Sequence, residues 1–199
     1  MLKIEECVLV LLAAGRSRRF GDGRGKLDQD FLGRPLGLHV AVALEDLPFR
    51  DRVAVVGDLD LPYDRHGFTP VHNPDRDLGM GSSVRVGVER ARAGGGASVL
   101  IALADMPRVT GDHVRRLFDA STDASSVVAS SDGVDPRPPA LFGAEQFGRL
   151  LAAEGDAGAR ALVRGGRHVV ASPAELVDID TTEELEQLRA LVHDPRQRS

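Results

Sequence analysis

Cys7-Val8-Leu9-Val10-Leu11-Leu12 is an unbroken apolar run that ends in Ala13-Ala14-Gly15. A strand wetted on one face alternates apolar and polar residues. This run does not alternate, so it predicts a strand covered on both faces. Val99 to Ala104 (VLIALA) has the same character. Shorter strand candidates are Arg52–Val56, Phe68–Val71, Ser126–Ala129, Ala140–Phe142, Arg167–Ala171 and Leu176–Ile179. Helical stretches lie between them. Pro35 to Leu47 reads as a helix that Pro48 ends, and Ser82 to Ala93 as one closed by Gly94-Gly95-Gly96. Thr110 can cap a helix running to about Ala120. Two short helices follow, Ala144–Ala153 and Asp156–Val163. The last helix runs from Thr181 to about Val192, with Glu183 and Glu184 at capping-box spacing from Asp180 and Thr181. Strands alternating with helices imply a single three-layer αβα, Rossmann-like α/β domain over residues 1–199, with a mainly parallel mixed sheet. The tail from 193 to 199 is expected to fray.

Composition excludes several function classes. The net charge is −5, opposite to what gripping a polyanionic backbone requires, so no nucleic-acid partner is expected. Aromatic residues are 4% with no Trp, too few for base-stacking rows. The single cysteine, Cys7, supports neither a disulfide framework nor a cysteine zinc site and reads as a buried strand residue. No apolar stretch approaches membrane-spanning length. The acidic Glu5-Glu6 before a short apolar run is unlike a secretory signal. A cytoplasmic location and no membrane partner are the expectations. The six histidines show no ligand spacing, and no Ser-His-Asp arrangement is legible.

Against that acidic background, the segment after the first strand is basic. Arg16, Arg18, Arg19, Arg24 and Lys26 fall within eleven residues, interleaved with glycines at 15, 21, 23 and 25. Glycines let successive amides point at one anion, and ligands of open α/β sheets sit at this end of the strands. The segment therefore reads as a polyphosphate site. It lacks both the Walker A spacing and a helix-opening G-x-G-x-x-G.

Later in the chain, Ala102-Leu103-Ala104-Asp105-Met106-Pro107 places one carboxylate at the tip of a buried strand, before a proline turn. An acid held rigidly there suits a hard cation such as Mg²⁺, which takes oxygen ligands and keeps positions for water and phosphate. Asn73-Pro74 precedes Leu78-Gly79-Met80-Gly81-Ser82-Ser83-Val84-Arg85, where the serines can cap the next helix and offer hydroxyls at its N-terminus. Near the C-terminus, Asp178-Ile179-Asp180-Thr181 offers two more carboxylates. Read as a strand, this stretch puts both on one face, and either could join Asp105 at a metal. Asp180 is preferred because it sits immediately before the last helix, although it also suits that helix as an N-cap.

LAAGRSRRFG followed by Lys26, the N-P…G-M-x-S-S-V-R segment, A-D-M-P, G-D-A-G-A-R (155–160) and D-I-D-T together resemble the MobA-like NTP transferase family. They do so in order, from about Val8 to Leu188. The resemblance implies the nucleotide-diphospho-sugar transferase type of fold and Mg²⁺-dependent transfer of a nucleotidyl group. It implies that Leu12, Ala13, Ala14, Gly15, Arg16, Ser17, Lys26, Asn73, Gly79, Ser82, Ser83 and Asp105 contact the nucleotide. Arg19 and Lys26 would offset phosphate charge, and Asp105 and Asp180 would hold the metal. Pro139, Phe142, Asp156 and Arg160 would meet the acceptor. The glycines usual before Pro139 are absent, and the stretch ahead of Lys26 is about two residues longer than usual. L-A-A-G, G-D-x-G-A-R and D-I-D-T resemble the molybdenum cofactor cytidylyltransferases, which implies CTP and a molybdopterin acceptor. GTP with the same acceptor, another small phosphorylated acceptor, or a non-catalytic carrier serving a client molybdoenzyme are the alternatives.

Overall fold

The computed structural model describes residues 1–15, 25–58, 61–153 and 155–193. Nine strands and six α-helices are found among them. The strands are β1 (Cys7–Ala13), β2 (Asp30–Phe31), β3 (Arg34–Pro35), β4 (Asp51–Val56), β5 (Thr69–His72), β6 (Ser98–Leu103), β7 (Val127–Ser131), β8 (Pro136–Gly143) and β9 (Arg167–Val170). The helices are α1 (His39–Ala43), α2 (Met80–Ala93), α3 (Gly111–Asp119), α4 (Phe147–Ala152), α5 (Gly155–Gly165) and α6 (Thr182–His193).

Seven strands form one sheet in the order β5-β4-β1-β6-β8-β7-β9. The pairs β5–β4, β4–β1, β1–β6 and β7–β9 are parallel, whereas β8 runs antiparallel to both its neighbours. This is the expected three-layer, mainly parallel mixed architecture. All seven residues of β1 are buried, as its unbroken apolar run requires. Leu9, Leu11, Leu100 and Leu141 pack with Val40 and Ala41 of α1 and Val114, Leu117 and Phe118 of α3 on one face. Val8, Val10, Val53 and Ile101 pack with Val84 and Val88 of α2, Leu150 of α4 and Leu162 of α5 on the other. A third cluster joins Phe31 and Leu36 to Ile179, Leu185 and Leu188, and so docks α6 on the β2–β3 hairpin. Burial pushes the Cys7 thiol up to about 12, which leaves it an inert core residue.

The register aligns the strand ends that matter. Ala13 is level with Val56, and Leu12 with Leu103. Ala104 N then donates to Leu12 O at 3.1 Å, so the segments leaving β1 and β6 emerge side by side at the carboxyl edge.

Four local expectations are corrected. The predicted Pro35–Leu47 helix is only α1 preceded by a 3-10 turn at Leu36–Leu38. Pro35 is instead spent on the hairpin, opposite Asp30. Beyond Ala43, the buried Leu44 and Leu47 face the core from successive turns. Leu176–Ile179 is not a strand: Leu176 enters one core cluster and Ile179 another, and Ile179 N makes a single anchoring bond to Asp105 O at 3.0 Å. β8 starts at Pro136, four residues before the expected Ala140, because its pairing with β7 resumes beyond an irregularity at Ala129/Ser130. Finally, α2 begins at Met80, two residues before Ser82. Its N-cap is Gly79, at φ 97°, a conformation that favours glycine. Ser82 and Ser83 are therefore inside the first turn and do not cap it. The tail beyond residue 193 lies outside the described residues.

Candidate active site

Lys26, Asp105 and Asp180 meet at the carboxyl edge of the sheet. Lys26 follows Gly25 and opens a 3-10 turn, Lys26–Asp28, held by the burial of Leu27 and the bond from Gln29 N to Lys26 O. Asp105 leaves the end of β6. Asp180 precedes α6, whose N-terminus is closed by a capping box: Glu184 N donates to Thr181 Oγ1 at 3.2 Å, and Glu184 Oε2 accepts from Thr181 N and Asp180 N. Thr181 is thus the cap, and the Asp180 carboxylate is turned to another use. Lys26 Nζ donates to Asp105 Oδ2 at 2.7 Å and to Asp180 Oδ1 at 2.8 Å. One ammonium thus bridges carboxylates from two segments far apart in the chain.

Burial alone would lower the Lys26 pKa, but Asp105 and Asp180 override it and hold the ammonium above its ordinary value. Burial raises the Asp105 carboxyl. Lys26 opposes that rise, and Asp178 and Asp180 reinforce it, for a net upward shift. Burial is thus the main cause at Asp105, and the two carboxylate partners are the cause at Lys26.

Asp105 Oδ1 is moreover buried with no hydrogen-bond partner among the described residues. A hard divalent cation is the ligand that such oxygens fit. No group of three or more His, Cys, Asp or Glu side chains able to hold a metal is found among the described residues. A cation here would be held by Asp105 and Asp180 and would complete its shell with phosphate and water. Expecting Asp178 and Asp180 on one strand face fails with the strand. Asp178 lies 4.0 Å from Arg137 Nη1 and borders a different cavity.

One cavity borders this cluster, and a second adjoins the first. The first, about 420 Å³, is lined by Leu12, Ala14, Gly15, Lys26, Gly79, Ser83 and Asp105, with Arg76, Asp77 and Met80 in addition. Ala13 points into the core instead. Asn73 and Ser82 do not line it. Asn73 is fully buried, and its Nδ2 donates to Ser82 Oγ and Ser83 Oγ at 2.9 Å each, while its Oδ1 accepts from Asp75 N. Asn73 braces the wall that Gly79 and Ser83 present. Arg16, Ser17 and Arg19 lie outside the described residues.

The second cavity, about 440 Å³, shares Leu12, Met80 and Leu103 with the first. Its apolar floor includes Val84, Ile101, Ala140, Phe142 and Val163. Arg137, Arg160, Arg164, Asp135 and Asp178 supply its charge. Phe142 and Arg160 both line this cavity. Pro139 is behind the wall that Pro138 forms. α5 begins at Gly155, so Asp156 sits inside the first turn, with its side chain outside the described residues. Arg137 and Arg164 were not singled out from the sequence. The i, i+4 spacing of Arg160 and Arg164 on one helix was the signal that could have found the second of them. α2 and α5 touch closely here: a Cβ added at Gly81 would stand 2.3 Å from Gly155 O.

Pro139 is held in turn by a relay from exposed Arg116 to buried His113 and Ser130. Arg116 Nη2 lies 3.0 Å from His113 Nδ1, and His113 Nε2 lies 2.7 Å from Ser130 Oγ, which donates to Pro139 O at 2.7 Å. Only a neutral ring protonated on Nε2 satisfies that sequence of donors. Burial is the main cause that lowers the His113 pKa; Arg116 lowers it further and Glu175 opposes. His39 is shifted the same way, mainly by burial. In the unfolded chain these rings protonate as pH falls through about 6.5, while the folded ones stay neutral. Stability is therefore fully present above that pH and declines below it, down to the lowered folded values. Melting temperatures measured from about pH 7.5 to 5.5 are expected to fall, and to fall less steeply in His113→Gln.

Residues 9–172 match the MobA-like NTP transferase domain model. The chain belongs to this family. Over 199 aligned residues it is 33% identical to the purine catabolism protein PucB of Bacillus subtilis, covering 90% of this chain and 94% of that protein. Among solved structures, a nucleotidyl transferase from Methanothermobacter superposes with a TM-score of 0.77 at 22% identity, covering 93% of this chain and 96% of that one. The manganese complex of Rv0371c from Mycobacterium tuberculosis gives 0.70 at 23%, covering 92% and 98%. These likenesses agree in fold, and the family match makes this chain a nucleotidyltransferase. No described helix is long and apolar enough to cross a membrane.

Proposed function

We propose that this MobA-like NTP transferase moves a CMP group from CTP to a molybdopterin-type acceptor and releases pyrophosphate, with Mg²⁺ as its cation. The observation that carries the proposal is the Lys26–Asp105–Asp180 cluster at the edge of the first of two adjoining cavities. The first is bordered by the end of β1, Lys26 and the start of α2, which suits a triphosphate and its base. The second pairs an apolar floor with Arg160 and Arg164 from successive turns of α5, which suits an acceptor with a ring body and an anionic group. The L-A-A-G, G-D-A-G-A-R and D-I-D-T segments support CTP and the molybdopterin acceptor by their resemblance to cytidylyltransferases.

In this reading an acceptor phosphate oxygen attacks the α-phosphorus. The new P–O bond forms as the bond to the β-phosphate oxygen breaks, and pyrophosphate leaves. Bound Mg²⁺ would neutralise charge on the triphosphate. Asp105 and Asp180 orient it, and Lys26 offsets charge on the leaving group. Preorganised charge of this kind is commonly the largest catalytic contribution.

The test is pyrophosphate release from each of the four NTPs with Mg²⁺, with and without molybdopterin. Turnover with CTP that depends on molybdopterin is the expected result. Preference for GTP would overturn the base assignment. Turnover indifferent to molybdopterin would overturn the acceptor, and nucleotide binding without pyrophosphate would indicate a carrier.

A further inference from the structure

We infer that Lys26 makes this site selective for a cation that arrives chelated to a triphosphate, because its ammonium already holds the position between the carboxylates against a free cation. The inference rests on the nucleotide-and-metal reading above. Lys26 Nζ is 2.7 Å from Asp105 Oδ2 and 2.8 Å from Asp180 Oδ1, on the two carboxylates a metal would use, and its side chain is only 13% exposed. A free divalent cation shared by both carboxylates has to displace the ammonium from between them, because Asp105 Oδ1 on its own offers it a single side-chain oxygen.

The displaced ammonium would then need another anion. Besides Asp105, the described lining of the first cavity offers one carboxylate, Asp77, which neighbours Arg76 in the chain. The rest of that lining is Leu12, Ala14, Gly15, Gly79, Met80 and Ser83, together with Leu27 and Leu103. A triphosphate changes the balance. Its oxygens receive the ammonium while the carboxylates receive the cation, so every charge keeps a counter-charge through the exchange. The Lys26 backbone is anchored by buried Leu27 and by the bonds Asp28 N to Gly25 O and Gln29 N to Lys26 O. The exchange is a rotation of one four-carbon side chain. Nucleotide and cation consequently bind with positive coupling, each raising the affinity for the other by the same factor.

Uptake of Mn²⁺, followed by loss of its free EPR signal, separates the possibilities in wild type, Lys26→Met, Lys26→Gln and Lys26→Arg, each with and without CTP and with GTP as a second probe. Circular dichroism identifies the variants that fold, and Lys26→Gln serves if Lys26→Met does not. Wild type is expected to take up Mn²⁺ weakly alone and tightly with nucleotide. Removing the ammonium is expected to raise affinity for free Mn²⁺ by about tenfold or more and to shrink the nucleotide's enhancement, whereas Lys26→Arg keeps the wild-type pattern. Mn²⁺ uptake with nucleotide in every form, but no gain in the Met or Gln variant alone, overturns the selectivity and leaves the metal site standing. No Mn²⁺ uptake by any form, with or without nucleotide, overturns the metal reading itself.

Discussion

Asp105→Asn is expected to lower pyrophosphate release by about 10²–10³-fold, the range seen when a preorganised charge partner is lost from a transition state. The replacement keeps the shape of the side chain and an oxygen for Lys26 Nζ to donate to, and removes the charge. Oδ1 has no hydrogen-bond partner among the described residues to forfeit, so the fold is expected to survive. The comparison is turnover at saturating Mg²⁺ and nucleotide beside a thermal melt. A variant that melts like wild type and turns over like wild type would remove Asp105 from the chemistry.

Leu100→Ala is expected to destabilise the protein by about 2–5 kcal/mol, read from denaturant unfolding midpoints at constant m-value. The magnitude follows from the register. Leu9 of β1, Leu100 of β6, Leu141 of β8 and Val128 of β7 are level with one another across four adjacent strands. All four are buried in the cluster that also holds the α1 and α3 side chains. Leu100 is in the middle of that row, so its truncation leaves a hole between strands whose hydrogen-bond spacing cannot contract. A cost below about 1 kcal/mol would mean that the helix layer collapses freely onto the sheet.

The strands that build the site were legible because burial on both faces leaves a mark. β1 and β6 are apolar runs, and their ends fix where Gly15 and Asp105 emerge. α3 was legible from Thr110, whose hydroxyl accepts from His113 N at 3.1 Å. What could not be read was non-local. Leu176-Val177-Asp178-Ile179 has the apolar content of a strand, but Leu176 and Ile179 are anchors of a loop that drops one apolar side chain into each of two clusters. The Pro136–Pro139 stretch looks like a breaker, yet it forms one end of β8. Asp180 could not be told from an N-cap by spacing alone; Glu184 decides between them by bonding back to the Asp180 and Thr181 amides. Asn73 and Ser82 carried the right motif, but spacing does not tell a wall residue from the brace behind it. The Arg116–His113–Ser130 relay joins α3 to β7 and has no sequence signature.

The partition between the two cavities has a consequence for anyone redesigning this protein. Leu12, Met80 and Leu103 belong to both compartments, and Gly81 has no space on its Gly155 side. Enlarging or shrinking the partition therefore reshapes both cavities together and, on the proposed function, donor and acceptor selectivity with them. Orthogonal retuning has to start from the outer walls, at Arg137, Val163 and Arg164 on one side and at Arg76 and Asp77 on the other.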